Sequence, residues 1–168
     1  LRLEDVSLLH GAEVDEDLRE AFSVTGPLLM YVGNLERYQG IGLLIDAFQI
    51  AAGGTPAHLA IIGGSDAHIK QYRARAATRG VADRVHFAGP RPLDDLGGYL
   101  RQADVLVSPR IEGTNTPMKI YSYLDSGRPV VATRKRTHTQ VLDEEIAALA
   151  APTPEALADA IGRLLNNE

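Results

Sequence analysis

The chain has 168 residues, enough for one domain with a real core, and its 45% hydrophobic content is ordinary for a globular domain. A net charge of −5, an aromatic content of 5% and the absence of Trp argue against a nucleic-acid surface, which calls for basic patches or stacking platforms. With no cysteine, disulfides and thiolate metal sites are excluded, and no apolar run approaches the length of a membrane span.

In chain order, residues 6–10 read as a strand closed by Gly11, and 15–22 as a short helix with Asp15 as N-cap. Residues 27–32 are a buried strand, and 40–52 a helix with Leu43, Leu44, Ala47 and Phe48 on one face. Residues 59–62 form a strand ending at Gly63-Gly64; Ser65 or Asp66 caps a helix to about residue 79, which Gly80 stops. A strand at 85–88, a helix at 93–102 and a strand at 105–107 follow. The helix at 116–125 has Pro117 in its first turn, where a missing N–H costs nothing, and Gly127 ends it. Strands at 130–132 and 147–150 and a helix from Pro154 to about residue 165 complete the chain.

Short apolar runs alternating with amphipathic helices indicate βαβ units. Right-handed crossovers then give an α/β, doubly wound, mostly parallel sheet with helices on both faces. In such sheets anionic ligands bind in loops at the carboxyl ends of the strands. Three loops qualify. Gly33-Asn34-Leu35-Glu36-Arg37-Tyr38-Gln39-Gly40 leaves a strand and enters a helix. Gly63-Gly64-Ser65 and Ala88-Gly89-Pro90 follow the next two strands. The stretch from Ser108 to Thr133 is the most informative: strand, polar loop, helix, Gly stop, strand. Its loop carries Arg110, Glu112, Gly113, Thr114, Asn115 and Thr116, and Lys119 follows Pro117 by two residues. A cation at a helix start is disfavoured unless an anion is present, which makes Lys119 a phosphate candidate.

Segments 29–48, 58–64, 84–89 and 108–133 resemble the donor site of GT-B retaining glycosyltransferases of family 4, group 1, and the resemblance covers nearly the whole chain. It implies the Rossmann-like C-terminal half of a GT-B enzyme. Residues 1–168 would be one nucleotide-sugar-binding domain whose N-terminal acceptor-binding domain lies outside this chain; a start at Leu1 rather than Met accords with an excised domain. The resemblance implies a hexosyltransferase-type enzyme with a nucleoside diphosphate sugar as donor, no other cofactor and no metal. The isolated domain is expected to be inactive. The resemblance further implies a cytoplasmic setting, at the membrane face, in polysaccharide or glycolipid assembly.

By the same resemblance Glu112 faces the donor sugar and Lys119 the leaving diphosphate, as the catalytic pair. Gly33, Asn34, Arg37, Gln39, Gly40, Arg110, Gly113, Thr114, Asn115 and Thr116 surround the diphosphate. Gly64, Gly89 and Pro90 lie along the nucleoside, and Ser122 near the ribose. His10 lines the interdomain cleft. Three departures from the family stand out. The usual Arg after the first Gly is Asn34, the usual Lys before the second Gly is Gln39, and the second Glu of E-x7-E is replaced: Ile120 or Ser122 stands there, according to the register. The alternatives are a non-catalytic nucleotide-sugar-binding domain, a GT-B-fold nucleotide-sugar epimerase, and an NAD-type domain; the last lacks its G-x-G-x-x-G fingerprint.

The remaining polar residues read as bland. His58, His68, His86 and His138 have no ligand spacing and are expected on the surface or a sheet face. Arg134-Lys135-Arg136 reads as a solvated turn.

Overall fold

The computed structural model describes residues 14–113 and 115–166. The expected strand at 6–10, His10 and Thr114 lie outside the described residues. The elements are α1 (Leu18–Ala21), β1 (Leu28–Val32), a 3-10 turn (Arg37–Gln39), α2 (Ile41–Ala52), β2 (His58–Ile62), α3 (Asp66–Thr78) and β3 (Val85–Gly89). They continue with a 3-10 turn (Leu93–Asp95), α4 (Leu96–Leu100), β4 (Val105–Ser108), α5 (Lys119–Asp125), β5 (Val130–Thr133), α6 (Arg136–Thr139), β6 (Ala148–Ala150) and α7 (Pro154–Asn166).

Six strands form one sheet in the order β3-β2-β1-β4-β5-β6, and every adjacent pair is parallel. Strands covered on both faces need apolar residues at every position, which is why Leu-Leu-Met-Tyr-Val and Val-Leu-Val run without polar breaks. Alternate residues feed two cores. Leu29, Tyr31, Leu59, Ile61 and Val105 pack with α2, α3 and α7, and Leu28, Met30, Ala60, Ile62 and Leu106 pack with α1, α4 and α5. The apolar stripe of α2 is wider than expected, because Ile41 and Ile45 are buried with Leu44, Ala47 and Phe48 while Leu43 is only partly covered.

Four boundaries differ from the sequence expectation for visible reasons. The first helix is one turn long and is capped by Asp17, not Asp15: Asp17 Oδ1 accepts from the Arg19 N–H at 2.9 Å. The preceding Glu16 is held elsewhere, accepting from Arg91 Nε at 2.9 Å and the Tyr99 hydroxyl at 2.7 Å. The helix expected at 93–102 begins as a 3-10 turn and is then only five residues long, in keeping with Gly97-Gly98 at its centre. The site helix starts at Lys119. Pro117 and Met118 instead form a tight turn, in which the Ile120 N–H donates to the Pro117 carbonyl at 3.1 Å. Finally, α6 is an additional helix that begins at Arg136, the last residue of the basic run; Arg134 and Lys135 before it form a bend, as the turn expectation had it.

Candidate functional site

The strand order reverses between β1 and β4, which places a crevice at their carboxyl ends. Only Leu29 and Met30 of β1 pair with β4, opposite Val105 and Leu106. Beyond them the strands part, and the buried Tyr123 hydroxyl of α5 fills the gap. It accepts from the Val32 N–H at 3.0 Å and donates to the Val107 carbonyl at 3.0 Å. One side chain thus satisfies two backbone groups that lack a ladder partner.

Above this split the loops after β1 and β4 lock together. The Ile111 N–H donates to the Tyr38 carbonyl at 3.0 Å. Gly40 has φ 77°, and a Cβ there would lie 2.0 Å from the Pro109 carbonyl oxygen, so no side chain fits. The close approach makes the two loops one wall.

Lys119 enters this wall from the start of α5. Its Nζ donates to the Tyr31 hydroxyl at 2.9 Å and to Gln39 Oε1 at 3.2 Å, and it sits 4.2 Å from the centre of the Tyr31 ring. The Tyr31 hydroxyl in turn donates to the Asn34 carbonyl at 2.6 Å. Both acceptors of the ammonium are neutral. Burial, and secondarily the charge of Arg110, push Lys119 down to about 7. Burial likewise raises the Tyr31 phenol far above its ordinary value, so Tyr31 stays a neutral partner. A Cβ on Gly33 would meet the Lys119 Nζ at 2.6 Å, so the glycine at this position makes the room the ammonium occupies.

Arg110 is the second cation of the cluster. Its guanidinium lies 5.0 Å from the centre of the Tyr38 ring, and its Nε donates to the Glu112 carbonyl at 2.9 Å. Gly113 folds over it, since a Cβ there would lie 2.6 Å from Arg110 Nη2. Glu112 itself is exposed at the loop tip, together with Gly113 and Asn115.

The expected site residues divide. Gly33, Gln39, Gly40, Arg110 and Lys119 come together at the switch point. Asn34 is on the same loop, but its side chain braces the turn: Oδ1 accepts from the Glu36 N–H at 3.1 Å, and Nδ2 donates to the Tyr38 hydroxyl at 3.2 Å. Arg37 is exposed and its charge is felt at Tyr72 of α3, so it does not join the cluster. Gly64 packs against Leu35, and Gly89 is open above its Cα, with Pro90 exposed beside it. Arg91 holds that last loop by donating to the Ala88 carbonyl at 2.5 Å and the Pro90 carbonyl at 3.0 Å. Ser122 lines a small recess between α4 and α5 with Leu96, Gly97 and Leu100, one face away from Lys119.

Sequence reasoning missed α6 and its histidine. His138 is fully buried, contrary to the surface or sheet-face expectation. Its Nε2 is 2.8 Å from Ser108 Oγ, and its Nδ1 is 2.7 Å from the Thr133 carbonyl, so it ties the ends of β4 and β5. Burial above all, reinforced by the charges of Lys119 and Arg110, pushes it down to about 4. With no route to solvent, the Ser108–His138 pair is a brace rather than a nucleophile. The neighbouring Thr137 hydroxyl donates to the Asn115 carbonyl, and Thr116 Oγ1 bonds Gln140 Oε1 at 3.2 Å. The sequence signal was the small-polar run Thr137-His138-Thr139-Gln140, which has no apolar period to announce a helix. His58 and His86 do lie on a sheet face, 2.8 Å apart between ring nitrogens.

A doubly wound parallel sheet with a crevice at its switch point defines a Rossmann-like α/β domain, and two cations stand over that crevice, the place where such folds bind anions. The sequence profile of the Glycosyl transferases group 1 family matches residues 26–167, and the chain belongs to that family. It is 32% identical over 159 residues to a D-inositol 3-phosphate glycosyltransferase of Acidothermus cellulolyticus, covering 88% of this chain and 35% of the relative. It is 32% identical over 126 residues to the mannosylfructose-phosphate synthase of Agrobacterium fabrum, covering 69% of this chain and 27% of the relative. The chain therefore spans about a third of the length of these curated relatives. Among solved structures, a sucrose-phosphate synthase from Thermosynechococcus elongatus matches with TM-score 0.80 at 27% identity, over 96% of this chain and 41% of that one. Anabaena Alr3699/HepE in complex with UDP-glucose has the same fold, with TM-score 0.79 at 19% identity over 99% of this chain and 44% of that one. The fold is that of GT-B glycosyltransferases. Among the described residues, no helix is long and apolar enough to cross a membrane.

Proposed function

We propose that this chain is the donor-binding half of a glycosyltransferase that moves a sugar from a nucleoside diphosphate sugar to an acceptor, with retention of anomeric configuration. The observation that carries this reading is Lys119: a half-buried ammonium at the switch point, held by two neutral oxygens, with Arg110 as its charged neighbour. Among the described residues its hydrogen-bond partners are these neutral oxygens, and an anion alongside would offset the cost of burying the charge. A diphosphate supplies one. When the bond between sugar and diphosphate breaks, negative charge grows on the leaving oxygens, and cations already in place stabilise it most. Lys119 and Arg110 take that role, and Glu112, exposed at the loop tip, faces the sugar hydroxyls. The nucleoside lies toward Gly89 and Pro90, where the backbone is uncovered. The acceptor is bound by a second domain, so the chain alone does not turn over. Uridine nucleotides are the first to try, since a structural neighbour is described in complex with UDP-glucose.

Calorimetric titration of this chain with UDP, GDP, ADP and NAD, each repeated with Lys119→Ala, tests the reading. Saturable binding of one nucleoside diphosphate, weakened in the variant, supports it. Binding of NAD alone, or nucleotide binding indifferent to Lys119, overturns it.

A second reading, a nucleotide-sugar binder without transfer, is favoured by two observations: the Asn34 side chain is engaged within its own turn, and Ser122 faces away from Lys119. Transfer by the full-length protein that collapses on Glu112→Ala would eliminate it.

A further inference from the structure

Lys119 and Gln39 belong to different elements, yet their polar ends meet at one point. Lys119 reaches it from the start of α5, and Gln39 from the 3-10 turn after β1. The two ends are 3.2 Å apart, and Gln39 is 6% exposed although it sits in a loop. The point has a built floor and wall. The Tyr31 hydroxyl is 2.9 Å from the ammonium and the ring centre 4.2 Å, while Gly33 closes one side so tightly that a Cβ would come within 2.6 Å. A lysine side chain is one bond longer than a glutamine, so Lys at position 39 would deliver its ammonium to the place that Lys119 now fills. There is room for one such group. Arg110 already opposes the charge there, so a second ammonium would be strongly disfavoured.

We propose that residues 39 and 119 form a single cation seat for the donor diphosphate, which can be filled from the loop or from the helix but not from both. In this chain the helix supplies the charge and Gln39 serves as the neutral acceptor that aims it. Gln39 is then a positioning residue. The inference rests on the diphosphate reading of the site but makes a separate demand: the charge must be transferable between the two positions.

The test is a cycle of Lys119→Gln, Gln39→Lys and the double exchange Gln39→Lys/Lys119→Gln. Each protein is titrated with UDP and with inorganic pyrophosphate, and each is melted without ligand. Lys119→Gln is expected to weaken binding roughly tenfold or more, and the double exchange to recover to within about threefold of the starting chain. Without ligand, Gln39→Lys alone is expected to melt lowest, because it crowds two ammonium groups, and adding Lys119→Gln to it raises the melting temperature again. A double exchange that melts normally but binds no better than Lys119→Gln overturns the shared seat and leaves the diphosphate reading standing. A double exchange that melts below Gln39→Lys also overturns the shared seat. Failure of the unaltered chain to bind either probe overturns both.

Discussion

The Lys119 ammonium lies 2.9 Å from the Tyr31 hydroxyl and 4.2 Å from the centre of the same ring, so one aromatic residue is both its hydrogen-bond acceptor and its platform. A phenol cannot neutralise a cation. The contact keeps the lysine in place while leaving its charge available, and burial makes that charge costly. The site is therefore bought with stability, and the cost depends on pH.

Lys119 is pushed down from 10.5 to about 7, so between those values the unfolded chain binds more protons than the folded one. Stability contributed by this group rises with pH across that window and is lowest below pH 7, where both states are charged. Lys119→Met is expected to raise unfolding stability near pH 7 by about 1–2 kcal/mol, a discounted figure because the ammonium is partly solvated. The gain should shrink toward pH 10, while nucleotide binding is lost. Denaturant melts at pH 6.5, 8 and 9.5 provide the check; a variant less stable than the parent at pH 6.5 contradicts it.

His138 works in the opposite range. Its folded value of about 4 lies below the ordinary imidazole value of 6.5, so the unfolded chain takes up the proton first as pH falls. Stability is full above pH 6.5 and declines toward pH 4, by up to about 3 kcal/mol. His138→Gln, which can still hydrogen-bond at both ends, is expected to flatten this decline. Urea midpoints from pH 7 to pH 4 would reveal an unchanged slope if the assignment were wrong.

The Tyr123 hydroxyl satisfies the Val32 N–H and the Val107 carbonyl at the split between β1 and β4. Tyr123→Phe keeps the ring and orphans both groups, an expected loss of about 1.5–3 kcal/mol. Amide exchange at Val32 should accelerate with it, and a loss below about 0.5 kcal/mol would mean that water replaces the hydroxyl at no cost.

Gly40→Ala combines a φ of 77° with a Cβ 2.0 Å from the Pro109 carbonyl. The expected cost is about 2 kcal/mol or more, because neither loop can retreat without breaking the bond from Ile111 to Tyr38. Glu112→Gln, on an exposed loop, is the contrast: stability within about 0.5 kcal/mol, and, on the proposed function, reduced sugar transfer by the full-length protein. Equal melting temperatures for Gly40→Ala and the parent would refute the first half of this pair.

The parallel, doubly wound sheet was legible from apolar runs whose burial on both faces leaves a plain mark in the sequence, whereas the strand order, and with it the place of the crevice, came from the structure. Lys119 and Arg110 stood out in the sequence because they flank the loop and helix start after β4, and the structure brings their charges close enough to oppose one another. What escaped was whatever depends on distant atoms. Residues 136–139 are helical through bonds to Asn115, Ser108 and Thr133, none of which a local pattern encodes. Asp17 rather than Asp15 caps the first helix because Arg91 and Tyr99, some eighty positions away in the chain, hold Glu16. Gln39 looked like a lost charge, and only its distance to Lys119 gave it a purpose.

The interlock between the loops after β1 and β4, through Gly40 against Pro109 and Ile111 to Tyr38, has a practical consequence for protein engineering. Neither loop is a module. A segment transplanted alone from a relative would arrive without the surface it was shaped against, so altered donor preference has to be sought by exchanging residues 33–40 and 109–117 as a matched pair.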